Sequence, residues 1–443
     1  MIVMKFGGTS VGQADRMKKV AELVINEASS QKIVVLSALS GTTNTLVAIG
    51  ELLNAGTKEK ATTKIENLYQ HYLAFCKDLL SQKIYQDKAF SVIDQHFDYM
   101  RLLTGKSAIT QADNKTLLAQ GELLSTNLFH VYLQEQNVAS SLLCALDFMA
   151  LDENNEPKVE YLQQALDALL KKDSESKLFI TQGYICLNTK GEYDNLKRGG
   201  SDYTATLIGA SLQAKEVQIW TDISGMHNND PRVVKDTYPI DELSFNEASE
   251  LAYFGAKILH PSSIWPVQQY NVPVRLKNTM DPKAAGTFIS DEEKAVDVKA
   301  IAAKDQITAI KLKSSRMLMA YGFLRKIFEV FEKYRTPIDM ITTSEVAVSL
   351  TIDDESALDD ILDELKPFGM IHVDNEQTIV CIVGNLVVQK EGIVQRIFEA
   401  LHEIPIRMIS YGGSKYNISL LIDTKYKNEV LKRLNQKLFT ERK

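Results

Sequence analysis

Up to about Met280 the chain alternates two hydrophobic rhythms. Short β-branched and apolar runs, Ile33-Val34-Val35-Leu36, Leu178-Phe179-Ile180-Thr181 and Val217-Gln218-Ile219-Trp220, are separated by longer stretches with helical spacing. Strands alternating with helices predict an α/β domain built on a mainly parallel sheet. Polar or Gly-rich residues follow each of these strands, at the carboxyl edge where such sheets collect ligands. From about Leu46 to Phe129 the pattern is helical throughout, and Lys58 to Arg101 contains neither Gly nor Pro. This stretch reads as a helical insertion or lid support with no legible chemistry.

The segment Asp281-Pro282-Lys283-Ala284-Ala285-Gly286 reads as a hinge, and beyond it the pattern repeats. Gly322 opens an amphipathic helix with Phe323, Ile327, Phe328, Val330 and Phe331 on one side, followed by a predicted strand Pro337-Ile338-Asp339-Met340-Ile341. Roughly 70 residues later Gly392 opens another, with Val394, Ile397, Phe398 and Leu401, followed by Pro405-Ile406-Arg407-Met408-Ile409. Strands ending at Asp353 and Asp423 keep the offset. Each copy reads strand, helix, strand, strand, helix, the order of a ferredoxin-like sandwich. Units this small are expected to pack against each other or across a dimer.

Length and composition narrow the function. At 443 residues the chain calls for two or three domains. No apolar run approaches the roughly 20 residues of a membrane span. Met1 to Lys5 runs straight into a Gly-rich turn, so the mature protein is expected to begin there, without a signal peptide. Cys76, Cys144, Cys186 and Cys381 show no short spacing, which predicts neither a disulfide framework nor a zinc site and points to a reducing cytoplasm. A formal charge of −7 disfavours a nucleic-acid partner. Small-molecule chemistry becomes the expectation.

Three polar loops carry that chemistry. Lys5-Phe6-Gly7-Gly8-Thr9-Ser10 follows the first strand, where paired glycines let backbone N–H groups approach a phosphate and a lysine adds charge. Lys197-Arg198-Gly199-Gly200-Ser201-Asp202-Tyr203-Thr204 precedes the apolar helix Ala205 to Ala214. Ser201 or Asp202 as a simple N-cap is one reading; an arginine and two glycines before a helix start make an anion site the other. Trp220 to Arg232 is a strand running into a long loop of turn residues, either a plain connection or a third binding loop.

These residues resemble the motif set of the aspartate kinases. The resemblance rests on Lys5 to Ser10, Ser37-Ala38 with Thr43-Asn44, Gly121-Glu122-Leu123, Arg198 to Thr204, Thr221-Asp222 with Asp230-Pro231-Arg232, and Phe254-Gly255-Ala256-Lys257 with His260-Pro261. It covers essentially the whole chain, and the repeated C-terminal units resemble ACT regulatory domains. Lys5 to Ser10 alone is shared by the wider amino-acid kinase superfamily; the Arg198 and Lys257 runs are more specific.

The resemblance implies an amino-acid-kinase-like three-layer sandwich over residues 1–285, followed by two ferredoxin-like (ACT) units within 300–443. The units fall at about 305–375 and 376–443, either consecutive or interleaved. It implies ATP-dependent phosphorylation of the L-aspartate side-chain carboxylate to 4-phospho-L-aspartate, the first step toward lysine, threonine and methionine, with Mg²⁺ accompanying ATP. Lys5, Asp202 and Lys257 are the implied catalytic residues. Lys5, Phe6, Gly7, Gly8, Thr221, Asp222, His227, Arg232 and Lys257 are implied around the nucleotide. Ser37, Thr43, Glu122, Arg198 and Ser201 are implied around aspartate. His227 stands where lysine-sensitive relatives carry tyrosine. The implied effector site comprises Met317, Met319, Ala320, Gly322, Phe323, Leu324, Asp339, Ser344 and Glu345, with lysine as the expected inhibitor and threonine the alternative. A homodimer through the ACT region, or a dimer of dimers, is expected. Another carboxylate kinase of the superfamily and an amino-acid sensor without catalysis are the competing readings, and the length leaves no room for a fused homoserine dehydrogenase.

Overall fold

The computed structural model describes residues 1–439 other than 197–198, 256–258, 295–296, 318–320 and 386. The implied site residues Arg198, Lys257, Met319 and Ala320 therefore lie outside the described residues. The chain divides into two compact units, one of Met1–Met226, Asp241–Phe245 and Ile258–Asp291, the other of His227–Ile240, Asn246–Lys257 and Glu292–Lys443.

The first unit contains β1 (Ile2–Phe6), β2 (Lys32–Leu36), β3 (Ser141–Leu143), β4 (Leu178–Gln182), a hairpin of β5 (Ile185–Leu187) and β6 (Tyr193–Asn195), β7 (Val217–Thr221), β8 (Glu242–Ser244), β9 (Val274–Asn278) and β10 (Thr287–Ser290). One sheet runs β3-β4-β2-β1-β7-β9-β10-β8, parallel from β3 to β9 and reversed at β10. The period of two along each strand divides the core. Ile2, Met4, Phe6, Val34, Leu36 and Trp220 share one apolar cluster with α2 (Ala14–Asn26), after the short α1 (Gly8–Val11), and with α3 (Thr42–Asn54), α4 (Lys58–Leu79), α5 (Lys83–Gly105) and α6 (Gln111–Glu135). On the opposite face, Val3 is buried on the side of α8 (Gly200–Ser211), which follows α7 (Val159–Lys172) and packs on β1. Lys5 shares the parity of Val3, and this aims its side chain at α8.

The segment Asp281 to Gly286, read from sequence as a hinge, closes the β9–β10 hairpin inside this sheet. Gly286 has φ +72°, and a Cβ there would lie 1.9 Å from the Leu276 carbonyl oxygen. The sequence signal was a real turn; cross-strand pairing makes it a corner of the sheet.

After α9 (Phe245–Tyr253) and α10 (Pro261–Gln269), the second unit is built on β11 (Asp297–Lys313), α11 (Phe323–Lys333), β12 (Ile341–Thr343), β13 (Ala347–Ile352), α12 (Leu358–Leu365), β14 (Met370–Asn385), α13 (Ile393–Ala400), β15 (Ile406–Ser410), β16 (Asn417–Asp423) and α14 (Lys427–Phe439). This is strand, helix, strand, strand, helix, twice. Gly322 and Gly392 are the N-caps of α11 and α13, with φ of +76° and +72°, a left-handed conformation that glycine adopts at little cost. The two copies share one antiparallel sheet, ordered β12-β13-β11-β14-β16-β15. The long strands β11 and β14 pair along nearly their whole lengths, Asp297 opposite Asn385 and Lys313 opposite Met370. The first half of β11 therefore lies beside the part of β14 that pairs with β16, and its second half beside β13. Each half of the sheet has its own core, one around Ile327, Phe331, Leu350 and Leu365, the other around Ile382, Ile397, Leu420 and Leu434. The expected strand from Pro337 is regular only from Ile341. Pro337 has no N–H to donate, and the Met340 N–H is taken by Thr351 Oγ1 at 2.9 Å.

Candidate active site and effector site

At the end of β1 the chain turns through Gly7 and Gly8 into α1. A Cβ on Gly8 would lie 3.0 Å from the Ala38 carbonyl oxygen, so glycine lets this turn approach the loop after β2. Lys5 Nζ lies 2.6 Å from Asp202 Oδ1, with the two side chains 12% and 13% exposed. A charge pair this sheltered sits in a low effective dielectric, where its field is poorly screened.

Asp202 and Ser201 occupy the first turn of α8. Its N-cap is Gly199, at φ +78° and with no side-chain cap, so the simple capping role for Ser201 or Asp202 does not hold. Backbone N–H groups at this helix start have no side-chain cap, an arrangement suited to an anion. Ser201 packs on Gly183, where a Cβ would come within 2.4 Å of its Oγ, and Gly183 is held by its N–H to the Leu36 carbonyl. His260, the N-cap of α10, covers Gly199 from outside: a Cβ on Gly199 would meet the His260 Cβ at 2.3 Å.

Glu122 reaches the same edge from α6. It is 3% exposed; Oε1 accepts the Ala38 N–H at 3.1 Å, and Oε2 has no hydrogen-bond partner among the described residues. Burial pushes its pKa up to about 8, against the smaller pull of the Ala38 N–H. A buried carboxyl group with one oxygen unsatisfied is the complement of an ammonium group. Ser37 follows β2 directly, its N–H bonded to the Phe6 carbonyl and its carbonyl to Ser125 Oγ at 2.8 Å. Thr43 lies in the first turn of α3, next to Thr42, whose hydroxyl meets that of the buried Tyr72 at 3.0 Å. The structure thus gathers Lys5, Gly7, Gly8, Ser37, Glu122, Ser201 and Asp202 at the carboxyl edge of β1, β2 and β4. Ala38, from the Ser37-Ala38 motif, supports them, as do Gly183 and Tyr72, which carry no motif of their own in the sequence.

Thr221 ends β7, beside β1, and its carbonyl accepts the Thr279 N–H at 2.8 Å, while Thr279 Oγ1 meets Ser10 Oγ at 2.8 Å. Asp222 is exposed and accepts from Thr221 Oγ1 at 3.2 Å. His227 and Arg232 belong to the second unit. His227 Nδ1 lies 3.1 Å from Thr237 Oγ1, and burial lowers its pKa. Arg232 forks onto Asp230 with contacts of 2.9 and 2.8 Å, which raises the pKa of the guanidinium and lowers that of the carboxyl group.

Of the implied effector residues, Gly322 starts α11, Phe323 is buried, and Met317 and Leu324 pack against the core of the first half. Ser344 and Glu345 lie in the exposed turn joining β12 and β13. Asp339 is different. Its side chain is 1% exposed, and Oδ1 takes Lys304 Nζ at 2.7 Å and the Tyr253 hydroxyl at 3.0 Å. It does not face solvent on a strand edge. Lys304 and Tyr253 carried no signal in the sequence beyond the position of Tyr253 just ahead of the Phe254-Gly255 run.

Among the described residues no group of three or more His, Cys, Asp or Glu is arranged to hold a metal. The carboxylate offered beside Lys5 is that of Asp202, a donor set that fits a magnesium ion carried on nucleotide phosphates and not one caged by protein. No helix is long and apolar enough to cross a membrane among the described residues.

A Gly-rich, charged edge on a parallel sheet, followed by a doubled βαββα sheet, defines a class, and the sequence comparisons agree with it: residues 1–278 match the amino acid kinase family and residues 380–438 an ACT domain. The lysine-sensitive aspartokinase 3 of Escherichia coli (strain K12) is 34% identical, over 99% of this chain and 99% of its own. Crystal structures of E. coli aspartokinase III superimpose with TM-scores of 0.87, in complex with aspartate and ADP (R-state), and 0.81, in complex with lysine and aspartate (T-state). Both are 33% identical; the first covers 99% of this chain and 100% of its own, the second 99% of each. The chain belongs to the aspartokinases of the amino acid kinase family.

Proposed function

We propose that the protein transfers the γ-phosphoryl group of ATP to the side-chain carboxylate of L-aspartate, giving 4-phospho-L-aspartate, and that lysine inhibits it through the doubled ACT region. The observation that carries the reading is the meeting, at one sheet edge, of the Lys5–Asp202 pair with the buried and half-satisfied carboxyl of Glu122.

The chemistry follows from the substrate. A β-carboxylate is ionised at neutral pH, so no general base is needed, and catalysis rests on alignment and charge neutralisation. Glu122 takes the substrate's ammonium group, with Ser37, Thr43, Ser201 and Arg198 around its carboxylates. The Gly7-Gly8 turn receives the phosphates; Lys5, held by Asp202, and Lys257 place positive charge where the transferred group develops negative charge. Thr221, Asp222, His227 and Arg232 belong to the nucleotide side. Mg²⁺, when bound with ATP, adds charge neutralisation on the phosphates, with Asp202 the carboxylate beside it. We assign catalysis to residues 1–285 and regulation to 300–443, in a cytoplasmic homodimer formed through the ACT sheet; the part-exposed Ile341 on β12 and Ile409 on β15, the edge strands, support that interface.

An assay of ADP release with aspartate, glutamate or no acceptor tests the reading. Release that needs aspartate supports it, whereas equal release with glutamate, or none with either, overturns it. Titration of lysine and threonine against the aspartate reaction identifies the effector.

A further inference from the structure

Tyr253 ends α9, two residues before Gly255 and four before Lys257. Its hydroxyl donates to Asp339 Oδ1 at 3.0 Å. The ammonium of Lys304, on β11, binds the same oxygen at 2.7 Å, reaches Asp353 Oδ2 at 2.8 Å and lies 4.7 Å from the centroid of the Tyr253 ring. A second contact holds the same turn. Gly255 has φ +115°, and a Cβ there would lie 2.2 Å from the carbonyl oxygen of Ala303, so the backbone of the turn rests on β11 one residue before Lys304.

Two carboxylates share one ammonium in this cluster, and Asp339 Oδ2, buried with the rest of the side chain, has no hydrogen-bond partner among the described residues. The cluster is short of one positive charge and one donor. A cation placed at Oδ2 would repel the Lys304 ammonium and weaken Oδ1 as an acceptor for the Tyr253 hydroxyl, because both oxygens belong to one delocalised anion.

We propose that Tyr253 is a positioning residue for the turn at Phe254-Gly255, two residues ahead of Lys257 in the chain, anchored to β11 through Asp339 and Lys304, and that an effector ammonium meeting the unpartnered Oδ2 of Asp339 loosens the anchor. The inference rests on the proposed roles of Lys257 and of the effector site, and it adds the link between them. The hydroxyl is the atom that matters. The ring stays in place by its edge contact with Phe254 and by the Lys304 ammonium above it.

Tyr253→Phe keeps the ring and removes the hydroxyl. Without effector, kcat is expected to fall about tenfold, the scale of one hydrogen bond to a charged group. KM for both substrates should stay within about twofold, and amide hydrogen exchange at residues 254 and 255 should accelerate by a factor similar to the loss in kcat. With lysine, binding by calorimetry should stay within about threefold of wild type while maximal inhibition falls by at least about half. Wild-type kcat and wild-type exchange in the variant overturn the anchor. Loss of lysine binding together with inhibition overturns the link, because it would make Tyr253 part of the effector site itself. If wild type neither binds lysine nor is inhibited by it, the effector reading fails, and kcat with amide exchange still decides the anchor.

Discussion

Lys5 and Asp202, which lie 197 positions apart in the chain, form a 2.6 Å ion pair across the carboxyl edge of the sheet. Neither side chain is more than 13% exposed, so each holds the other's charge in place before any substrate arrives. Such preorganisation makes charge useful in phosphoryl transfer, since little reorganisation is left for the moment of reaction.

Lys5→Met is expected to lower kcat by about a hundredfold or more. Leaving Asp202 unpaired should also destabilise the fold by about 1–3 kcal/mol. Adding Asp202→Asn should restore much of the melting temperature and none of the activity. Thermal melts alongside the ADP assay separate the two effects; near-normal turnover in a folded Lys5→Met removes the phosphate role.

Glu122 gives a pH signature. With its pKa pushed up to about 8 it carries a proton at neutral pH, and the substrate ammonium group proposed to bind there would have to displace that proton. KM for aspartate should therefore fall by up to about tenfold per pH unit from roughly pH 6.5 to 8 and level off above. Without substrate the sign for stability is opposite. Between the ordinary value of 4.5 and the folded value of about 8 the native state holds more protons than the unfolded chain, so this contribution is complete at low pH and is lost as pH rises through 8. Glu122→Gln should abolish the KM trend and gain in melting temperature, relative to wild type, as pH rises. A KM for wild type that does not change over this range argues against the ammonium contact.

Gly183→Ala tests the proposed place of Ser201 beside aspartate. The new methyl would come within 2.4 Å of Ser201 Oγ and 2.8 Å of Ser201 Cα, so the start of α8 must move. We expect KM for aspartate to rise at least about tenfold and stability to drop by about 1–3 kcal/mol, the usual range for overpacking. KM for ATP should change less, and equal changes in both would place Ser201 elsewhere.

Asp339→Asn keeps the shape of the side chain and removes its charge. Half-inhibition by lysine should require at least about tenfold more effector, the equivalent of about 1.4 kcal/mol of binding. Unchanged inhibition would take Asp339 out of the effector site.

Much of this protein is legible in the chain itself. The runs at Ile33, Leu178 and Val217 became β2, β4 and β7, because short runs rich in β-branched and aromatic residues and bounded by polar or Gly-rich turns suit a buried strand. Gly322 and Gly392 announced α11 and α13, because a left-handed N-cap is a local demand that one residue type meets readily. The residues of the phosphate turn and of the Ser201 helix start were legible for the same reason: their chemistry is written in neighbouring positions.

Other features depend on which segments meet. Asp281 to Gly286 reads as a linker and is a hairpin corner, since only the pairing of β9 with β10 distinguishes the two. Asp339 reads as a strand residue and is a buried anion, because Lys304, 35 positions earlier, and Tyr253, 86 positions earlier, come to it through the sheet. Gly183 has no motif, yet it leaves space for Ser201, and the Ser37-Ala38 motif does not record that the Ala38 N–H goes to Glu122. The sequence by itself determined the elements, their repeat and the residue types able to handle phosphate and carboxylate, since those follow from local periodicity and turn chemistry. Tertiary structure alone decided which charges are paired, which carboxyl stays half-satisfied and how far its pKa rises, because burial and Coulomb interaction depend on distances between segments that no local pattern records.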